Sequence, residues 1–267
     1  MIKWGVTCFF RNRQNFSRVI GLAKQFPLQY LEIRGERPFF SPEDLSRHDI
    51  QFFRNTIEKA GLQVTLHATF YDINLSTINS YLKKASLQCY KNYLDLGQKI
   101  AARTMVIHAG YMHHDAAGIK ALWNLARANL VENLKVLGDY AAAKNICLAL
   151  ENSPPNRNSL IVYNWKQHKE ILKRVNHPQV RAVLDMAHAH LQGLDISQYY
   201  RNIRKSLAEL HIHNNNGQED LHNSVEEGTI DYETFFRNNQ VEVPVIMEIR
   251  NVPGAVKSLK WVKKIEL

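Results

Sequence analysis

A (β/α)8 barrel of α/β class is the fold this sequence predicts, on three observations. Eight short apolar runs alternate with eight segments of helical period, at roughly 25 to 45 residue spacing. The 267 residues suit such a barrel, for which about 250 is typical. Residues able to bind metal or move protons stand at the carboxyl ends of most apolar runs, where a barrel gathers its chemistry. A doubly wound sheet would share the alternation, but no G-x-G-x-x-G turn follows the first strand. No linker or low-complexity stretch divides the chain, so residues 1–267 are expected to form one domain.

Residues 2–9 read as the first strand and 16–25 as a helix. The second strand, 28–33, closes on Glu32 and the polar loop RGERPFFSP. Ser41 is the expected cap of a helix over 42–60, with Pro42 at its first position and Gly61 beyond its end. The third strand is 62–67. Ile78, Leu82, Ala85, Cys89, Tyr93, Leu96 and Ile100 then step by three and four along one helix face. Strand four, 104–108, leads into the loop AGYMHHDAAG and a helix marked by Ile119, Leu122, Leu130, Leu134 and Leu137. Strand five, 145–151, ends in ENSPPNRNS, whose paired prolines bar regular structure. A helix over 159–175, strand six at 180–185 and a helix over 196–205 follow. Strand seven is 207–213, and another helix starts at 229–231. Strand eight is 243–248, and the last helix runs over 253–264.

Composition narrows the class. The hydrophobic share of 45% and charged share of 22% are those of a soluble globular protein. No apolar run approaches the roughly 20 residues that span a bilayer, so no membrane partner is expected. The start, MIKWGVTCFF, has no long apolar region with a small-residue cleavage site. Cys8, Cys89 and Cys147 are odd in number and widely spaced, which points to a reducing compartment and a cytoplasmic protein. The formal charge of +9 agrees with anionic partners, nucleic acid or phosphorylated metabolites.

The strand ends carry the functional signal. Glu32 follows strand two, His67 ends strand three and His108 ends strand four. Glu151 ends strand five, and Asp185 ends strand six with His188 three residues on. His211 lies in strand seven, Asp220 and His222 in its loop, and Glu248 ends strand eight. Imidazole and carboxylate without thiolate suit a divalent Zn, Mn, Fe or Co ion. Glu151, Asp185, His211 and Glu248 would complete one site. His67, His108, His188, Asp220 and His222 exceed the needs of one ion, so they would hold further ions or substrate oxygens. His113, His114, His190 and His213 are expected in loops or supporting roles. Phe70 and Tyr71 are expected at the substrate, as a pocket wall or a wedge into a base stack. Glu32 is either a substrate-loop contact or a partner of Arg34 or Arg37.

The blocks LEIRGE, LHATFYDINLS, VIHAG, ALEN, VLDMAHAH, HIHNNNGQEDLH and VIMEIRN, in that order, resemble the xylose-isomerase-like superfamily of sugar isomerases, sugar epimerases and endonuclease IV. The resemblance spans almost the whole chain and implies a TIM barrel with one to three divalent ions, Zn or Mn, at its mouth. For an isomerase or epimerase of a sugar or sugar phosphate, it implies that Glu151 and Glu248 bind the metal and exchange the substrate proton. Asp185 and His211 would complete that site, with His188 on a substrate oxygen. For a phosphodiesterase acting on abasic DNA, it implies a polynuclear zinc site built from all nine residues, His67, His108, Glu151, Asp185, His188, His211, Asp220, His222 and Glu248.

The chain departs from both patterns. The arginine that the epimerases place after the strand-seven histidine is replaced by NNNGQ. WGVTCFFRNRQNF lacks the His-Val-Ser and paired glycines that open the nuclease barrel, Asn214 stands for the usual Asp, and Glu226 for a glycine. The sugar-directed reading is preferred, with the nuclease as its alternative. A barrel that binds without turnover has no need of two proton-transfer carboxylates.

Overall fold

Parallel strands covered by helices are buried on both faces, so they read as continuous apolar runs rather than alternating ones. The structure is a computed structural model and describes residues 2–9, 13–155 and 159–265. Its strands are β1 (Trp4–Cys8), β2 (Leu28–Gly35), β3 (Gln63–Ala68), β4 (Ala102–His108), β5 (Tyr111–Met112), β6 (Cys147–Glu151), β7 (Ser159–Leu160), β8 (Val180–Asp185), β9 (Leu207–Ile212) and β10 (Val245–Met247). Eight of them close a parallel barrel in the order β1-β10-β9-β8-β6-β4-β3-β2. The helices are α1 (Arg13–Leu22), α2 (Arg47–Lys59), α3 (Ser80–Lys99), α4 (His114–Ala117), α5 (Lys120–Ala142), α6 (Trp165–Val175), α7 (Met186–Leu191), α8 (Ile196–Ile203), α9 (Tyr232–Asn238) and α10 (Val252–Ile265). Among the described residues no helix is long and apolar enough to cross a membrane.

The main apolar core lies between the barrel and its helices, with Leu66, Leu94, Leu134, Ile107, Leu150 and Leu210 fully buried. Inside the barrel a second, small cluster of Val106, Ala149 and Val183 fills one layer. Register then decides what meets at the mouth. Arg34 is paired with His67, His108 with Glu151, and Asp185 with His211. Paired residues of neighbouring strands share a face, so the polar strand ends form a ring.

Several elements differ from expectation. The helix expected from Ser41 starts five residues later. Ser46 caps α2 in a reciprocal box with Asp49, while Ser41 donates to Asp44 in a turn. The segment expected as one helix over 159–175 begins as β7, antiparallel to β5, and becomes helical only after the Asn164 cap. Two short helices, α4 and α7, were not expected. The loop ENSPPNRNS and the block WGVTCFFRNRQNF run partly outside the described residues, at 156–158 and 10–12.

Candidate metal centre

Strand periodicity places Glu209, His211 and His213 on one face of β9 and its continuation, turned into the barrel. The deepest layer holds Glu32 and Glu209, both fully buried. Thr7 donates its hydroxyl to Glu32 Oε1 at 2.8 Å. His211 Nε2 lies 3.2 Å from Glu32 Oε2 and 3.3 Å from Glu209 Oε1. Burial pushes the Glu32 carboxyl up to about 8, against the pull of His211. The imidazole of His211 is depressed by burial, but Glu32, Glu248 and Glu151 outweigh that and hold it well above its usual value. Because β2 continues past Glu32 to Gly35, this carboxylate sits under the site rather than in a loop. It reaches neither the cavity nor a bridge to Arg34 or Arg37; it accepts from Thr7 and lies against His211 instead.

Glu151 is the hub above this layer. Its Oε2 lies 3.2 Å from His67 Nε2 and 2.9 Å from His108 Nε2, and its Oε1 lies 3.2 Å from His211 Nδ1. Glu248 Oε1 stands 3.5 Å from the same His211 nitrogen and 3.3 Å from Arg34 Nη1. Burial alone would raise both carboxyls. The imidazoles of His108 and His211 hold Glu151 well below the carboxylate range, and His211 with Arg34 does the same for Glu248. Burial and the Arg34 charge lower His67 to about 4.

A third group gathers beside Glu151. The N-terminus of α7 is capped by Asp185, whose Oδ1 accepts from the His188 backbone at 2.7 Å, and this turns His188 to the mouth. Its Nε2 faces Asp220 Oδ2 at 3.6 Å, and His222 Nε2 faces the same oxygen at 3.3 Å. His213 Nε2 lies 3.3 Å from Asp185 Oδ2 and 3.6 Å from Asp220 Oδ1. Burial would lower His188, yet Asp185 and Asp220 lift it to about 10. Burial would raise Asp220, and the two imidazoles bring it far below its usual value.

The histidines share one arrangement, and it tests whether these residues fit a cation. His67 Nδ1 faces the Ala68 carbonyl at 3.0 Å, His188 Nδ1 the Asn152 carbonyl at 2.9 Å, and His222 Nδ1 the Glu248 carbonyl at 2.8 Å. A carbonyl only accepts, so each of these nitrogens carries the proton. His211 uses Nε2 in the same way, on carboxylates. The other nitrogen of all four rings faces the central carboxylates. Imidazoles oriented from behind by oxygen, with the other nitrogen turned inward where a cation would take the place of a proton, are what metal sites present. Asp185 Oδ2, Asp220 Oδ1 and His213 Nε2 are buried without hydrogen-bond partners, which a bound cation would resolve. Among the described residues, ligand atoms within 4.8 Å of one another form five groups, three of them at the mouth: His67, His108 and Glu151; Glu151, Asp185, His211 and Glu248; and His188, His213, Asp220 and His222. The others are Glu32, Glu209 and His211 beneath them and an exposed His113, His114 and Asp115. The residues fit one to three divalent ions.

Members of all three mouth groups, with Asp185, His211 and His213 excepted, line a cavity of about 300 Å³ at the carboxyl ends of the strands, walled by Phe70, Tyr71 and Tyr111. Phe70 lies against His108 with ring centroids 4.6 Å apart, and Tyr71 forms the exposed rim. A larger groove of about 810 Å³ between α6 and α8, near Lys169, Lys173 and Arg201, carries none of the candidate site residues.

Sequence reasoning missed Arg34, Glu209 and the burial of His213. Arg34 shares the inward face of β2 with Glu32, lines the cavity and stacks over Phe9 and Phe70. The period of two in ELHIH and in EIR was the signal for all three. Asn214 lies behind the site. Its Nδ2 donates to the Val225 and Ile230 carbonyls, and its Oδ1 accepts from Asn215 and Ile230. Glu226 is on the surface, 3.8 Å from Lys264. His113 and His114 form a separate exposed group with Asp115, and His190 lies outside all five groups.

A family model described as a xylose isomerase-like TIM barrel matches residues 20–265. An uncharacterised protein of Methanocaldococcus jannaschii, MJ1311, is 24% identical over 229 residues, 82% of this chain and 75% of the relative. The crystal structure of a D-tagatose 3-epimerase-like protein superposes with a TM-score of 0.86 at 19% identity, covering 99% of this chain and 97% of that one. D-psicose 3-epimerase from Clostridium cellulolyticum H10, solved with D-tagatose, gives 0.76 at 17% identity, covering 97% and 89%. At such identities the structural likeness speaks for the fold.

Proposed function

The chain belongs to the xylose isomerase-like TIM-barrel family, and from that premise we propose that it is a divalent-metal-dependent enzyme that isomerises or epimerises a sugar or sugar phosphate. The observation that carries this reading is the pair of buried carboxylates, Glu151 and Glu248, flanking one His211 nitrogen on a cavity of small-molecule size. Both are held in the charged form, the state in which a carboxylate can ligate a cation.

Glu151, Asp185, His211 and Glu248 would hold the ion, zinc or manganese by ligand type. When bound, it supplies a Lewis acid that polarises a carbonyl oxygen and acidifies the neighbouring C–H. The protein's own part is proton transfer. One of the two glutamates takes the proton from that carbon through a carboxylate oxygen, and the other returns one. Their strands are separated by β8 and β9 in the ring, and epimerisation would need the two carboxylates to act on opposite faces of the carbon. The Phe70 and Tyr71 wall would exclude water. Loading the chain with Mn²⁺ or Zn²⁺ and assaying ketoses, aldoses and their phosphates tests this. Glu151→Gln and Glu248→Gln should each lower kcat by about 10²- to 10⁴-fold. Unchanged turnover in both variants would sink the assignment.

A second reading, endonuclease IV-like hydrolysis of a phosphodiester, is favoured by one observation: the three ligand groups lie side by side and two share Glu151, whereas single-ion proton transfer leaves Asp220 and His222 without work. Neighbouring ions clamp the attacking and leaving oxygens in phosphoryl chemistry. Incision of abasic duplex DNA by the zinc-loaded chain would select this reading.

A further inference from the structure

The sequence assigns His213 to a loop or supporting role; the residue is fully buried, and neither ring nitrogen has a hydrogen-bond partner among the described residues. An imidazole is costly to bury in that condition, because each unmet polar atom forfeits about 1–3 kcal/mol of hydration. Its Nε2 faces two carboxylate oxygens that are themselves buried and unpartnered, Asp185 Oδ2 at 3.3 Å and Asp220 Oδ1 at 3.6 Å. The ring is stacked on His222, with centroids 3.9 Å apart and 15° between planes, and edge-on to His188 at 5.7 Å, so sharing one ion requires one of the stacked rings to turn about its side-chain bonds. The backbone behind it is fixed, since Tyr232 donates its hydroxyl to the His213 carbonyl at 2.5 Å. One ligand atom from each of His188, His213, Asp220 and His222 lies within 4.8 Å of the others.

We propose that His213 is the fourth protein ligand of a zinc-type cation held with His188, Asp220 and His222, which makes this a closed, structural position rather than an open, catalytic one. Catalytic zinc sites use three protein ligands and keep a place for water or substrate, whereas structural ones fill all four with protein. Three imidazoles and one carboxylate supply four donors. The ion would tie β9, α7 and the 214–223 loop together and fix the wall that Asp220 and His222 present to the cavity. A closed ion cannot activate water, so the proposal weighs against three open metals acting on a phosphodiester. It rests on the chain being a metalloprotein, not on its acting on sugars.

The test uses the full chain and needs no substrate. Crystals grown with ZnCl2 should show an anomalous peak about 2.0–2.1 Å from His213 Nε2, the zinc–imidazole bond length. In solution, Co²⁺ at this position should give the intense visible bands of four-coordinate cobalt. His213→Asn should remove one metal equivalent or replace those bands with the weak absorption of higher coordination, leaving the ion at Glu151 in place. A peak bonded to His188, Asp220 and His222 with His213 out of reach would overturn the proposal. So would a folded His213→Asn protein with unchanged metal content and spectrum, and a chain that binds no metal would overturn it together with its premise. A chain that holds zinc on His213 yet turns over no sugar would support this inference and contradict the functional reading.

Discussion

His211 is fixed from below before it can serve anything above. With Nε2 held between Glu32 and Glu209, the nitrogen facing Glu151 and Glu248 is constrained in both tautomer and direction. Glu32→Gln preserves volume but replaces with an amide the carboxyl that orients the ring. It should weaken binding of the ion by about 10- to 100-fold, measured by competition with a chelating dye. Affinity equal to that of the unaltered chain would mean that Glu32 does not position His211. A different histidine sets a pH response. His168 is buried, with Nε2 donating to the Leu150 carbonyl and Nδ1 accepting from Tyr199, and burial lowers it to about 4. The unfolded chain takes up that proton near pH 6.5 and the folded one does not. The contribution is therefore complete above about pH 6.5 and lost as pH falls toward 4, by about 3 kcal/mol in all. Urea unfolding of His168→Gln should lose less stability than the parent between pH 7 and pH 4.5. Equal losses would contradict the assignment. At this scale the strand-end residues were readable, because a polar residue closing an apolar run is visible in one dimension. Glu209 and His213 were obscured because only the direction of a side chain, not its type, separates an inward ligand from a loop residue.

Among the elements, α2 shows how two sound signals compete. Ser41 before Pro42 has the look of a helix start, but Ser46 with Asp49 closes a reciprocal box, while Asp44 is drawn into the turn by Ser41 and Arg37. Ser46→Ala should cost about 1 kcal/mol in a denaturant titration, and no change would place the helix start elsewhere. The β5–β7 ribbon and α7 left no trace in the sequence because two-residue strands and a six-residue helix are too short for periodicity. Yet α7 carries His188 to the mouth. The loop after β9 is likewise settled by contacts. Asn214 bonds four backbone groups there, and a Cβ at Gly228 would run into its Oδ1 and the Asn215 carbonyl. The Asn at position 214 thus acts as scaffold behind the ligands.

For the molecule as a whole, the order of strands and helices was legible because each barrel unit repeats the same apolar rhythm. The register that aligns Arg34 with His67 and Asp185 with His211 was not, since it depends on pairing between distant segments. Ions bound between so many strands should stabilise the folded chain by mass action, by about 4 kcal/mol at a thousandfold excess over Kd. Chelation should therefore lower Tm and restored Zn²⁺ or Mn²⁺ should return it, and a Tm indifferent to metal would contradict a resident ion. The central claim is proton exchange between Glu151, Glu248 and a carbon beside a carbonyl. The most direct test is to incubate the metal-loaded chain with ketoses and their phosphates in D2O and follow the sugar C–H signals by NMR. The account predicts deuterium at the carbon next to the carbonyl, abolished in Glu151→Gln and Glu248→Gln. No exchange with any sugar, alongside metal-dependent incision of abasic duplex DNA, would contradict it.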